Sequence, residues 1–559
     1  DWNLLNPQGN QRFITAGAGA EHPSVGGGSY RFQNLDYSES FKGSRHEIIS
    51  NIRLKKVQSN TNISYLDSEG TQLKSRFFRI HNRTTYKIKN AWIGAKLSAE
   101  NNSIRASIND SLTPTSQKYV SYEGFTGIGD STKVFIQGGY KYRSNDSLRN
   151  AALQNVNTSN TYYLKSRPIN AKNSQLSIFL NYRVLKDAEG IDEDDTSLNS
   201  RILYNQSLFQ GKVRLNTALE TNNGVIARQE FTYVQVDPGN GIYTWNDYND
   251  NGIQELEEFE IAQFQDEGTY VRVLLPNQFF QKIRGNKFSQ VVTINPQSWS
   301  KKEGILQFIS HFYNQTSYVL DRKVKRKKDG FNINPFEDGK DDQLGLNLNF
   351  RNTLFFNRGK QNFTTSYTFL SASNSNLISS GQQESKLQSH QLNFTHKIKK
   401  TWLMNLKSSI GGNESISDTF ESRNYQLDSY EVNPKFSYLL NRQTRFDVFY
   451  KFSNKTNSLG ELEALDQHNL GFSFSYANTE KISINGEFNY IDNDFTGSPF
   501  SPVAYQILEG LQPGVNFTWR LLFQKRITKY LDANLSYFGR DSKNSNTVHS
   551  GSIQLRAYF

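Results

Sequence analysis

The sequence predicts an all-β membrane protein: a large closed antiparallel transmembrane β-barrel of about 24 strands, give or take two to four. Three observations predict it. The last thirteen residues alternate strictly, with Thr547, His549, Gly551, Ile553, Leu555, Ala557 and Phe559 on one face and Ser550, Ser552, Gln554, Arg556 and Tyr558 on the other. Such a strand suits lipid on one side and a wet lumen on the other. The same period of two recurs along most of the chain, while no apolar run approaches the roughly 18 to 20 residues of a spanning helix. Mean hydropathy is −0.68, which a barrel permits because only every second residue meets lipid. Short connections alternate with long polar ones, the habit of barrels with tight periplasmic turns and long external loops.

Residues 1–44 read as a Gly-rich opening segment. Thr15–Ala20 and Gly26–Ser29 carry no Lys-Ser/Thr of a phosphate loop, so flexible or turn-rich chain is expected there. Residues 45–559 read as the barrel, with weak patterning up to about residue 130. The clearest hairpin sets Leu470, Phe472, Phe474 and Tyr476 against Ile482, Ile484, Gly486, Phe488 and Tyr490 across a turn at 478–480. Similar pairs join Phe436, Tyr438 and Leu440 to Phe446, Val448 and Tyr450, and residues 344–356 to 363–369. Tight ends are expected near Lys89, Gln210, Trp299, Arg358, Lys400, Asn441, Asn478 and Arg526. Long external ends are expected near 187–197, 223–286, 321–342, 374–387 and 494–514. Trp92, Trp299 and Trp402 fall beside the tight ends, where an amphipathic ring suits the headgroup level.

Aromatic residues make up 13% of the chain, 39 Phe and 29 Tyr, as strands and interfacial girdles favour. With no cysteine, disulfides, thiolate metal sites and Cys nucleophiles are excluded. The net charge of +11 comes from scattered Lys and Arg, such as Lys399 and Lys400 or the loop Lys323 to Lys328. Anionic headgroups or lipopolysaccharide fit that scatter as counter-charge better than nucleic acid does. Residue 1 is Asp and no signal peptide opens the sequence, so a processed start, or the C-terminal part of a longer polypeptide, is expected.

The closing residues Ile553, Leu555 and Phe559 resemble the signal by which outer-membrane proteins are recognised for assembly; Ala557 stands where an aromatic is common. The stretches Gln229-Glu-Phe-Thr-Tyr-Val, Val236-Asp-Pro-Gly-Asn-Gly, Trp245 to Phe259 and Leu508-Glu-Gly-Leu-Gln-Pro-Gly resemble the C-terminal barrel of large, functionally undefined outer-membrane proteins of Bacteroidota-type bacteria. The resemblance implies residence in a bacterial outer membrane and brings no chemistry with it.

The most specific motif lies in the longest loop. Asp247, Asn249, Asn251, Ile253, Glu255 and Glu258, with Gly252 at the sharp turn, match the oxygen positions of a twelve-residue calcium loop, Ile253 through its carbonyl. Gln254 sits where such loops carry an apolar anchor, and Asn-Gly is also a plain turn signal. Calcium there would order the loop. The eight histidines, among them His311, His390, His396, His468 and His549, read as isolated on strands, with His396, His468 and His549 facing an interfacial band. No catalytic constellation can be singled out, and an enzyme is not expected.

Two classes of function follow. A barrel this wide must be plugged or used. The long, acidic 223–286 loop favours a subunit of an envelope assembly, secretion or export machine that binds partner proteins. The alternative is a TonB-dependent-like importer, or a porin, whose plug lies outside this chain.

Overall fold

The computed structural model describes every residue except 1, 3–7, 191–193, 228–229, 276–279, 327–333, 337–341, 361, 379–380, 479–481, 544 and 559. Phe559, Gln229, Lys327, Lys328 and the turn residues Thr479 and Glu480, all named above, lie outside the described residues. Twenty-five strands belong to one antiparallel sheet and four to a second, smaller one. The chain divides into two compact units, the first comprising residues 1–206, 218–223 and 329–333, the second 207–217, 224–328 and 334–559.

In the first unit each strand pairs with the next in sequence. It opens with Gln11–His22 against Gly26–Tyr37, in a register running from Gln11↔Tyr37 to His22↔Gly26. The turn-rich opening expected for residues 1–44 is therefore corrected: strands begin at Gln11, well before residue 45. Glycine permits this where a side chain would not. Gly26 has φ +95°, and a Cβ there would lie 1.9 Å from the Asn51 carbonyl oxygen. Further along, Ile48, Ile63 and Ile80 form one cross-strand row, and Tyr65 stands opposite Phe78. These residues define an apolar face, continued by Ile93, Tyr122, Ile136, Tyr140 and Tyr162, all exposed. On the opposite, polar face two rings lie flat over glycines. A Cβ on Gly94 would meet the Phe125 ring at 2.3 Å, and one on Gly139 would meet Tyr163 at 2.4 Å. Phe125 is buried as a result.

In the second unit the same meander runs from Phe280–Ile294 to Val548–Ala557. The strongest hairpin has the register read from sequence: Leu470↔Tyr490, Phe472↔Phe488, Phe474↔Gly486 and Tyr476↔Ile484. Phe436↔Val448 and Tyr438↔Phe446 likewise agree. Along each antiparallel ladder alternate residue pairs exchange hydrogen bonds, so the peptide groups of both strands find partners within the sheet. Two expectations are corrected. Residues 374–387 are not a long loop, because Phe363–Ile378 and Gly381–Ile398 run through them as paired strands. The end near Trp299 is not tight: a 3-10 turn Gln297–Trp299 and a helix Ile305–Ile309 fill the connection between Ile294 and Phe312. Trp299 still carries a cation, Lys212 Nζ lying 5.5 Å from its ring centroid.

Candidate functional site: an insert anchored on the polar face

Between Val213–Ala227 and Phe280–Ile294 the chain builds the smaller sheet from Glu230–Gln235, Tyr243–Trp245, Phe259–Ile261 and Tyr270–Leu275. The two longer strands pair from Glu230↔Leu275 to Gln235↔Tyr270, and Tyr243 stands opposite both Ile261 and Tyr270. Period-two aromatics supply its core. Tyr233 stacks on Phe259 at 4.0 Å between centroids, and Tyr243 and Tyr270 close edge-on at 4.9 and 5.0 Å. Each such pair contributes roughly 0.5–1.5 kcal/mol beyond its buried area. A loop rich in Tyr and Phe thus folds as a small body of its own.

The candidate calcium turn sits on this body. Asp247 accepts from the Asn251 and Gly252 amides at 3.1 and 2.7 Å, Asn249 Oδ1 from Asn251 at 3.0 Å, and Asn251 Oδ1 from Ile253 at 2.6 Å. Asp250 and Gly252 take positive φ, as the sharp turn requires. The Asn249 amide donates to Glu255 at 2.8 Å. Glu258 turns the other way, into the insert, where its buried carboxylate accepts from Trp245 Nε1 at 2.8 Å and from the Tyr248 and Glu255 amides. Among the described residues no three His, Cys, Asp or Glu side chains gather as metal ligands. The structure brings Asp247, Asn249, Asn251 and Glu255 into one hydrogen-bonded turn, with Ile253 inside it, and takes Glu258 out of it. As it stands, the six-ligand set does not fit a calcium ion.

The acids that follow the turn make the anchorage. Arg423 donates to Glu260 at 2.7 Å and to the Phe259 carbonyl at 3.1 Å, and Gln506 adds a bond to Glu260 at 3.0 Å. Arg540 forks onto Asp266 at 2.7 Å and Glu267 at 2.8 Å while its guanidinium lies 4.4 Å from the Phe264 ring centroid. Tyr505 donates to Glu267 and accepts from the Gln263 amide, both at 3.1 Å. Tyr505 and Gln506 belong to the helix Pro502–Leu508, capped by Ser501 Oγ accepting from the Ala504 amide at 3.1 Å. That helix buries Val503, Ala504, Ile507 and Leu508 against Leu427 and Leu465. Burial raises the carboxyls of Glu260 and Glu267 above their ordinary range, with Arg423 and Arg540 respectively pulling the other way.

Arg540 fixes where the tip of the insert lies. It stands opposite Val548 and Thr518, two residues from Phe538, which faces Ser550. These belong to the polar face of the last three strands. A cavity of about 280 Å³ separates the tip from that wall, lined among others by Gln263, Phe264, Asp266, Glu487, Arg520 and Arg540. Sequence reasoning singled out the acidic loop but not its partners. Arg272, a cation that could have neutralised it, lies instead over the rings of Phe231 and Tyr243 at 5.3 and 5.8 Å. Nothing in the local sequence marks Arg423 or Arg540, which are more than 160 residues away.

The histidines are not isolated. His46, His390, His468 and His549 each share a hydrogen bond through Nδ1 with a tyrosine hydroxyl on a neighbouring strand, Tyr30, Tyr367, Tyr450 and Tyr537, at 2.6–2.8 Å. His396 Nδ1 bonds the Asn362 carbonyl and His311 Nδ1 the Asn357 side chain.

No protein-family model matches this chain, and no curated protein does. Solved structures do. The FrpB iron transporter from Neisseria meningitidis (F3-3 variant) is 10% identical at a TM-score of 0.34, over 90% of this chain and 80% of that one. BauA, the ferric preacinetobactin receptor from Acinetobacter baumannii, is 9% identical at 0.33, over 95% and 84%. The ferric-catecholate import receptor Fiu from E. coli K12, in its open form, is 8% identical at 0.29, over 92% and 82%. At these scores the likeness carries no argument about activity.

Proposed function

We propose that this chain is a bacterial outer-membrane β-barrel that forms a passage for solutes, capped by its own four-stranded insert. The alternating strands support closure of the 25-stranded sheet, the apolar face meeting lipid and the polar face lining a lumen. Scattered surface cations meet anionic headgroups or lipopolysaccharide. One observation carries the reading: Arg540, on the polar face, holds Asp266 and Glu267 of the insert. An element reaching in to grip the wall occludes a lumen, whereas an arm for docking partners would project from it. This favours a passage over the machine subunit expected first. Calcium enters only if Glu258 leaves its three donors to join Asp247, Asn249, Asn251, Glu255 and the Ile253 carbonyl.

The test is conductance in planar bilayers. Arg540→Ala combined with Arg423→Ala is expected to raise single-channel conductance and its fluctuation over the unaltered protein; equal, low conductance in both would overturn the passage.

A second reading, docking of a partner protein, is favoured by apolar side chains left exposed on the insert: Val234, Val273, Leu274 and Leu275. Stoichiometric co-purification of a partner, lost on Val273→Glu, would support it.

A further inference from the structure

The polar face of the first unit carries a patch of cations far in excess of its acids. In one cross-strand row Arg83 stands opposite Lys96, Lys96 opposite Glu123, Glu123 opposite Lys141, Lys141 opposite Thr161, and Thr161 opposite Arg183. Five strand steps of about 4.8 Å make the row roughly 24 Å wide. Arg143, two residues from Lys141, and Lys165, opposite Gln137 and Phe179, lie on the same face. Six cations therefore surround a single carboxylate, Glu123. That carboxylate is already occupied, bonded by Lys96 and by the Tyr163 hydroxyl.

Neighbouring acids do not relieve the excess, because they have their own arginines. Glu100 is held by Arg79 and Glu220 by Arg201, each at 2.9 Å. Among the described residues Arg83, Lys141, Lys165 and Arg183 have no carboxylate partner. Rings hold several cations in place instead. Arg143 lies 3.9 Å from the Tyr119 centroid, Arg83 and Lys96 lie 5.2 and 5.4 Å from that of Phe125, and Lys165 lies between Tyr163 and Phe179 at 5.3 and 5.7 Å. Arg143 is further braced by Asn145 at 2.7 Å. A cation on a ring keeps its full charge, so the patch is pre-organised and left without a counter-anion. Holding unpaired like charges at strand spacing is unfavourable, and an anion that spans several of them removes the cost.

We propose that this wall is a binding site for a multivalent oxyanion, a solute bearing two or more phosphate or carboxylate groups, held chiefly by Lys141, Arg143 and Arg183. The site rests on the passage reading, since the wall must face a lumen for solute to reach it. Two separations suit such a ligand, since long side chains can converge over it: Lys141 and Arg143, two apart along a strand, start roughly 6.6 Å apart, and Lys141 and Arg183, two strand steps apart, about 9.6 Å. Glu123 limits the affinity and keeps the site reversible.

The experiment measures binding of inorganic pyrophosphate, and separately of citrate, to the full-length protein in detergent by calorimetry at fixed ionic strength. Lys141→Gln with Arg183→Gln is expected to weaken pyrophosphate binding at least tenfold, and Glu123→Gln to tighten it. Heat-modifiable migration shows that each variant is folded. Citrate binding in parallel with pyrophosphate assigns the shared oxyanion chemistry, and a response to pyrophosphate alone assigns phosphate. Failure of the unaltered protein to bind either, or equal affinity in all three proteins, overturns the proposal. Conductance of the protein carrying Arg540→Ala and Arg423→Ala reads the passage separately, so an open channel that binds neither anion would refute the site and leave the passage standing.

Discussion

Arg540 and Glu267 lie 273 residues apart in the chain and 2.8 Å apart in space. With Asp266 on the same guanidinium, this one arginine ties the tip of the insert to the polar face of a strand near the C-terminus. Arg540→Ala leaves two part-buried carboxylates facing each other without a counter-charge and should cost docking roughly 1.5–3 kcal/mol, the range of hydrogen bonds to charged groups. Limited proteolysis should then cut between residues 230 and 275 faster than in the unaltered protein. Arg540→Lys, which cannot fork, should lie between the two.

The acids of the anchorage also set a pH dependence. Burial raises Glu260 and Glu267, so the docked insert holds more protons than a released one. Docking stability is then constant below the ordinary carboxyl value of 4.5 and falls as pH rises from there through the raised values. Hydrogen-exchange protection in residues 256–270, taken relative to the intrinsic base-catalysed rate at each pH, should be greater at pH 5 than at pH 8. Greater protection at pH 8 would mean that the arginines outweigh burial.

Glu258 ties the Asp247 turn to the body of the insert through Trp245 and the Tyr248 and Glu255 amides. Glu258→Ala removes the acceptor for Trp245 and for two backbone amides and should make the turn cleavable whether or not calcium is present. Chelation alone should leave it intact. Protection that disappears with chelator and returns with calcium would show that Glu258 swings out to complete the ligand set with Asp247, Asn249, Asn251 and Glu255.

Face decides tolerance on the closing strand. Leu555 stands opposite Ala533 on the apolar side and is 64% exposed, while Gln554 stands opposite Asn534 on the polar side. Leu555→Lys should cost about 2–4 kcal/mol in a bilayer and Gln554→Lys much less. Thermal or denaturant unfolding in liposomes would check the difference, and equal losses would mean the faces are exchanged.

Strands are legible in the sequence where apolar and polar side chains alternate. Phe472 and Phe488 alternate with Ser473 and Glu487, and a slip of one residue would invert them, so register follows from pattern. That signal fails where both faces are wet or both are small. From Ala372 to Lys386 the strands carry Ser, Asn, Gln and Glu on either side, and from Thr15 to Gly28 small residues offer no hydrophobic contrast; both stretches nonetheless carry paired strands, Phe363–Ile378 with Gly381–Ile398 and Gln11–His22 with Gly26–Tyr37. The insert was visible as a long acidic loop, but its aromatic core joins Tyr233 to Phe259 and its anchors join Glu260 to Arg423, contacts of long range that no local period encodes.

Cysteine scanning tests the central claim most directly, because the chain contains no cysteine of its own. Single cysteines from Leu470 to Tyr476 and from Ile482 to Tyr490, reacted in liposomes with a charged, membrane-impermeant thiol reagent, should alternate. Positions 473, 475, 485, 487 and 489 should label through a water-filled lumen, and positions 470, 472, 474, 484, 488 and 490 should stay protected by lipid. Uniform labelling along both strands would contradict a membrane barrel.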